Sequence, residues 1–226
     1  MAFSKIAATT LSDDIISGKS ALAEAPADTD ELLLSDAGTL KRIDYSHIKD
    51  GAGAFVKLST VDLSSGDSLA AFDSSIITTT YKQYFFTFTN LRPTDDNSYL
   101  KMQESTNNGS SFLANDCDWH FQFQYTSQTN SEYLSNSGAN QTDCQLSSNH
   151  VGNGTMEGIS GQLFYSRDGA NPSKGNWGIV FTNSNFVYYQ NGGFYRDDAS
   201  ATNYVRFQMG GSTFISGRIT CYGITT

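Results

Sequence analysis

The chain is 226 residues long, with a formal net charge of −9 from 14 Lys plus Arg against 23 Asp plus Glu, and only 16% of its residues are charged. So acidic a balance, without a basic stripe, argues against nucleic-acid partners and against adsorption to anionic membranes. Phe (15), Tyr (12) and Gly (20) are abundant and Pro (3) is scarce, a composition that predicts antiparallel β-structure with many turns.

The N-terminal residues lack the basic start and apolar core of a signal peptide, and no stretch approaches the length of a membrane span, so no membrane insertion is expected. Residues 12–22, SDDIISGKSAL, predict a short helix, because Ser12 or Asp13 can cap it, acids occupy its start and Lys19 lies toward its end. Gly18-Lys19-Ser20 matches the close of a phosphate-binding loop. Asp13 stands where that loop needs glycine, however, and no buried strand precedes it, so nucleotide binding is set aside. An extended linker around Pro26 spans residues 23–30.

Residues 26–49, PADTDELLLSDAGTLKRIDYSHIK, read as a hairpin module. Residues 31–36 and 39–44 form the strands, Asp36-Ala37-Gly38 supplies the turn, and residues 45–48 make one helical turn. Leu32 and Leu34 share one face and Leu33 the other, so apolar side chains point both ways on an element too small to cover them. In the second strand Leu40 and Ile43 are three apart, which allows a bulge or an early strand end. With Tyr45 and Ile48, these five residues are the candidate docking and oligomerisation surface. The stretch 50–54, DGAGA, marks the boundary between an N-terminal module, 1–54, and a second domain, 55–226.

The run DELLLSDAGTLKRIDYSHIK resembles a hairpin segment that recurs in virion structural proteins of tailed bacteriophages, especially tail-fibre and related proteins of marine phages. The match covers about a tenth of the chain. It implies an intertwined, often trimeric, assembly, other virion proteins as partners, and residence in the particle.

From Phe55 onward the pattern is continuously β. In residues 84–89, YFFTFT, Tyr84, Phe86 and Phe88 line one face while Phe85, Thr87 and Thr89 line the other. Residues 119–125, WHFQFQY, alternate more cleanly, with Trp119, Phe121, Phe123 and Tyr125 opposite His120, Gln122 and Gln124. Further strands are predicted over 55–63, 99–103, 161–166, 177–182, 185–190, 204–209 and 217–222. Turns are predicted at Asn107-Asn108-Gly109, Asp168-Gly169 and Asn191-Gly192-Gly193. About nine or ten short strands with one wet face predict an all-β chain: the helix and hairpin module, then an antiparallel β-sandwich of jelly-roll or lectin-like type. Residues 216–224 look like the closing strand of C-terminal β-sandwich domains in phage structural proteins, and residues 86–93 are similar to an early strand and turn of that group.

Catalytic and metal signatures are weak. Glu104, Asp116, Asp118, Glu132 and Glu157 are the acids available for a glycosidase pair, with Asp116 and Asp118 at strand spacing, but the plain reading places both at a strand start. His47, His120 and His150 are the only histidines, and no serine sits in a nucleophile elbow. Asp116, Asp118 and Asp143, or the loop 167–171, offer oxygens for calcium without matching a calcium-loop pattern. No cofactor motif is present. Three cysteines, Cys117, Cys144 and Cys221, leave at least one thiol free or intermolecular, and so low a count does not point to a disulfide-stapled secreted domain but to assembly in a reducing compartment, the host cytoplasm. Sequons at Asn108, Asn140 and Asn153 follow from a composition rich in Asn, Ser and Thr.

Sugar binding is the more plausible chemistry, since an aromatic face stacks on a pyranose while amides take its hydroxyls. Residues 177–195 and their neighbour supply Trp177, Tyr188, Tyr195 and Arg196 as candidate receptor contacts. Tyr188 and Tyr189 point to opposite faces, and Tyr195 and Arg196, beside Gly192-Gly193, are expected to be exposed. The resulting expectation is a non-enzymatic fibre or adhesin protein, homotrimeric, attaching a particle to a host surface glycan. The alternatives are a capsid decoration or head-fibre protein without receptor recognition and an envelope polysaccharide-degrading enzyme.

Overall fold

The computed structural model describes residues 26–49, 55–126, 131–167, 172–184, 186–198 and 200–225. The chain divides into two compact units, Met1–Gly53 and Ala54–Thr226. The candidate helix over 12–22 and the junction 50–54 lie outside the described residues. The described chain is nearly all-β, and its strand pairings are antiparallel. Its one helix is far too short to cross a membrane.

In the first unit, β1 (Glu31–Asp36) and β2 (Thr39–Asp44) pair without interruption from Glu31↔Asp44 to Asp36↔Thr39, so the bulge allowed near Leu40 does not occur. The two-residue turn has positive φ at both Ala37 (46°) and Gly38 (80°), the primed geometry whose twist matches that of paired strands. After Tyr45 comes α1 (Ser46–Lys49), and the Tyr45 amide donates to Asp30 O at 2.7 Å, closing the base of the hairpin. Leu32 lies opposite Ile43, and Leu33 lies opposite Arg42 on the other face. Leu34, Ile43 and Tyr45 are half-buried, whereas Leu32, Leu33 (72%) and Ile48 are exposed. Leu40 pairs through its backbone with Ser35.

The described residues of the second unit form twelve strands. In chain order they are β3 (Phe55–Leu63), β4 (Ala70–Phe72), β5 (Gln83–Pro93), β6 (Tyr99–Ser105), β7 (Cys117–Thr126) and β8 (Ser131–Gln141), followed by β9 (Cys144–Gln145), β10 (Gly158–Ser166), β11 (Lys174–Asn183), β12 (Phe186–Arg196), β13 (Tyr204–Gly210) and β14 (Phe214–Ile224). They make an eight-stranded sheet, β3-β14-β5-β10-β11-β12-β7-β8, and a four-stranded sheet, β4-β13-β6-β9. Alternation determines which face is covered. Tyr84, Phe86 and Phe88 of β5 are buried, as are Trp119, Phe121 and Phe123 of β7. Phe207 of β13 packs across the sheets against Phe86 at 5.1 Å and Phe88 at 5.3 Å between ring centroids, and Phe72 of β4 meets Phe86 at 5.3 Å. This is sandwich packing, with edge-on rings between two sheets. Under β12 and β7 the segment 146–151 completes the cover. There buried Gln190 accepts from the Ser148 amide and donates to Leu146 O, and the His150 ring stacks on Tyr188.

Three strands are absent from the sequence expectation. β4 and β9 are too short to show a period, and β8, SEYLSNSGANQ, is a polar edge strand. The predicted turn at Asn191-Gly192-Gly193 is instead the interior of β12. Gly192 lies opposite Trp177, and a Cβ there would stand 2.3 Å from the indole Cζ2, so the glycine makes room for a ring.

The two sheets are tied by a disulfide and a buried ion network. Cys117 of β7 is bonded to Cys144 of β9 and Cys221 is left free, so one thiol is unpaired as expected, while the low count that pointed away from a disulfide-stapled domain is corrected: the pair is made by the packing of the sheets, which the spacing does not reveal. Arg196, at the end of β12, is fully buried. Its Nε donates to Glu104 Oε1 of β6 at 3.2 Å, and its Nη1 donates to Asp116 Oδ1. Glu104, equally buried, also accepts from the hydroxyls of Tyr165 (2.8 Å), Ser173 (2.8 Å) and Thr202 (2.9 Å). Burial, with the Glu104 carboxylate beside it, holds the Tyr165 phenol well above its ordinary value of 10, so it remains a donor.

Removing Glu104 leaves the Arg196 Nε and the hydroxyls of Tyr165, Ser173 and Thr202 without their shared acceptor in the core, with Asp116 alone to meet the guanidinium. Glu104→Ala is expected to cost about 3–5 kcal/mol in urea denaturation, and a loss under about 1 kcal/mol would contradict this role. Cys221 is free and buried, and its thiol is pushed up to about 12 by burial. Iodoacetamide at a pH of about 9, near an unperturbed thiol's pKa, should leave the folded protein unlabelled. By mass spectrometry the denatured chain should take one label before reduction and three after it.

Candidate functional site

The uncovered face of the large sheet carries what the core does not use. Along β10 the outward residues are Ser160, Gln162 and Phe164; along β11 they are Asn176, Gly178 and Val180; along β12 they are Tyr189 and Asn191. Register places Gln162 beside Gly178 and Gly178 beside Asn191, Phe164 beside Asn176, and Val180 between Ser160 and Tyr189. Together they line a groove of about 340 Å³. Gly178 keeps its floor low, since a Cβ there would meet only the Asn191 Oδ1, at 3.1 Å. The Phe164 ring, which is exposed, is held by Phe85 at 4.6 Å, itself packed on Phe55 at 5.2 Å.

Beyond Tyr189 lies a second depression of about 210 Å³. It shares Tyr189 and Asn191 with the first and adds Gln122, Gln124 and Tyr133. Among the described residues, no charged side chain lines either hollow. The side-chain amides of Gln122, Gln162, Asn176 and Asn191 make no hydrogen bond to any described residue. An uncharged trough with aromatic walls and unspent amides can hold a neutral polyhydroxylated molecule, stacking its apolar face while exchanging hydrogen bonds with its hydroxyls.

The four sequence-predicted contacts are placed differently. Trp177 is buried beneath Gly192, Tyr188 is buried and stacked on Phe181 with centroids 4.8 Å apart, and Arg196 is the core cation described above. Expected exposure therefore fails for Arg196. Tyr195 does reach solvent. Its hydroxyl donates to Asp197 Oδ1 at 3.0 Å, which raises its pKa, and Lys174 Nζ lies 5.6 Å from the ring centroid. The opposed faces of Tyr188 and Tyr189 are as the strand period predicts, with Tyr189 the outward member. Tyr189 and Asn191 belong to the stretch that the sequence marks for sugar binding, though not to its four candidate contacts, whereas Gln162, Phe164 and Asn176 are groove residues outside it. The signal for them is the same period 2, carried through Gly192-Gly193.

The candidate acids are occupied elsewhere. Asp116 is paired with Arg196, yet burial raises its pKa more than the guanidinium lowers it. Asp118 accepts the Asn140 amide, and Glu157 accepts those of Gly154 and Ser184, closing a turn. Among the described residues no three His, Cys, Asp or Glu side chains converge as metal ligands do. The candidate calcium loop 167–171 lies outside the described residues except for Arg167, whose Nη1 donates to Thr78 O.

No protein-family model, curated protein or solved structure matches the chain.

Proposed function

We propose that the chain is a non-enzymatic structural protein of a phage particle, of fibre or adhesin type, that binds a host surface glycan in the groove between Phe164 and Tyr189. The observation that carries the glycan reading is the groove itself: two exposed aromatic walls, a glycine floor and three unspent amides, with a fourth, Gln122, in the adjoining hollow and no charged side chain among the described residues that line either. The unequal sheets, one with a broad uncovered face, suit a lectin-like module better than a jelly roll of matched sheets. The phage assignment rests on the resemblance of the hairpin segment. That hairpin exposes Leu32, Leu33 and Ile48, apolar surface that other copies of the chain, in a homotrimer, or other virion proteins would cover. Three grooves in one assembly would multiply weak sugar contacts. Assembly in the host cytoplasm and residence in the particle complete the proposal, and the Cys117–Cys144 bond suits a protein that works outside the cell.

One observation favours the capsid-decoration alternative. Phe55, Phe85 and Tyr222 form an apolar hollow on the same uncovered face, the kind of surface a neighbouring protein would cover. Competition separates the two readings. Purified protein should block adsorption of intact phage to host cells, and Tyr189→Ala should abolish the block while changing stability by less than about 0.5 kcal/mol. Failure of the unaltered protein to compete would favour decoration. In sedimentation, Leu33→Glu should convert a trimer to monomers, and a monomeric unaltered chain would remove the assembly premise.

A further inference from the structure

We infer that the site is a track for an extended neutral oligosaccharide lying across the strands, rather than a pocket for a single sugar. The inference rests on the glycan reading above and specifies the length, direction and charge of the ligand. Antiparallel register aligns two rows of outward side chains side by side. One runs Val180, Tyr189, Gln124, Tyr133 across β11, β12, β7 and β8; the other runs Gln162, Gly178, Asn191, Gln122 across β10, β11, β12 and β7. The first row begins and ends on apolar or aromatic surface, with Val180, Tyr189 and Tyr133 all exposed, and Tyr133 the most so at 78%. The second is a row of amides interrupted by the one residue without a side chain.

Rows on the same face of a strand lie about 7 Å apart, and neighbouring strands about 4.8 Å apart, which puts Tyr189 and Tyr133 roughly 10 Å from each other. One pyranose ring cannot stack on both. A chain of sugars can, with its rings on the tyrosine row and its hydroxyls toward the amide row. The two hollows meet at Tyr189 and Asn191, so the path between them is continuous. Among the described residues no charged side chain lines either hollow, and Lys174 lies outside the two rows, in the depression that adjoins the groove at Phe164 and Asn176; a carboxylated or sulfated chain would therefore find no cation along the track itself, within a protein whose net charge is −9.

The test is titration calorimetry of the full chain with neutral gluco-, manno- and galacto-oligosaccharides from mono- to hexasaccharide, and with their carboxylated and sulfated counterparts. Affinity should climb with length and then level off, and the anionic counterparts should bind no more tightly. Tyr133→Ala should lower affinity for the longest ligands about two- to tenfold and leave the disaccharide unaffected. Gly178→Leu, which fills the floor, should abolish binding at every length, with the melting temperature of both variants reported as the control for folding. Equal affinity at all lengths, equal loss of short and long ligands in Tyr133→Ala, or tighter binding of anionic chains would overturn the track while leaving a sugar site in place. No binding of any sugar, together with undiminished competition by Tyr189→Ala in phage adsorption, would overturn the glycan reading and the track with it.

Discussion

A guanidinium taken out of water must be met by carboxylates and by donors that satisfy those carboxylates in turn, and Arg196 imposes that demand on the centre of the second unit. The demand is met from several segments at once. Glu104 comes from the small sheet, Asp116 from the approach to β7, and the hydroxyls of Tyr165, Ser173 and Thr202 from three further places in the chain. Each is useful only when the others are present, so the network forms as a unit or not at all. It therefore specifies how the small sheet sits on the large one, more than it adds stability over an apolar core of equal volume. The Cys117–Cys144 bond, beside it, makes the same connection covalent.

What this arrangement does for function is indirect. The covered face of β10, β11 and β12 is locked by large rings, with Leu163 opposite Trp177, Trp177 against Gly192, and Phe181 stacked on Tyr188. Strands so held cannot shift register, and each outward side chain keeps its neighbours. Phe164, Asn176, Tyr189 and Asn191 thus form a preorganised surface on rigid elements rather than on loops, which lowers the ordering cost of binding.

Most strands were legible in the sequence because their two faces differ in chemistry. The aromatic alternation of β5 and β7 could hardly be read otherwise, and the sandwich follows from it. The site was less legible for one traceable reason, that two consecutive glycines look like a turn. Once the strand is continued through Gly192 and Gly193, the residues from Tyr188 to Arg196 alternate without a break: Tyr188, Gln190, Phe194 and Arg196 point in, and Tyr189, Asn191 and Tyr195 point out. A single steric fact, the width of the Trp177 indole, requires the glycine and conceals the strand. β8 escaped notice because an edge strand needs no apolar face, and the cysteine pair because its spacing of 27 residues carries no geometric information.

The cysteine pair has a consequence in time. Both sulfurs are wholly enclosed, so an oxidant or a reductant reaches them only when the sheets part, and that opening is what the Arg196 network opposes. A chain folded in a reducing compartment and later carried into an oxidising one would gain its bond slowly, and lose it as slowly on return. The molecule would then harden with age, and its resistance to unfolding would record how long it had been outside.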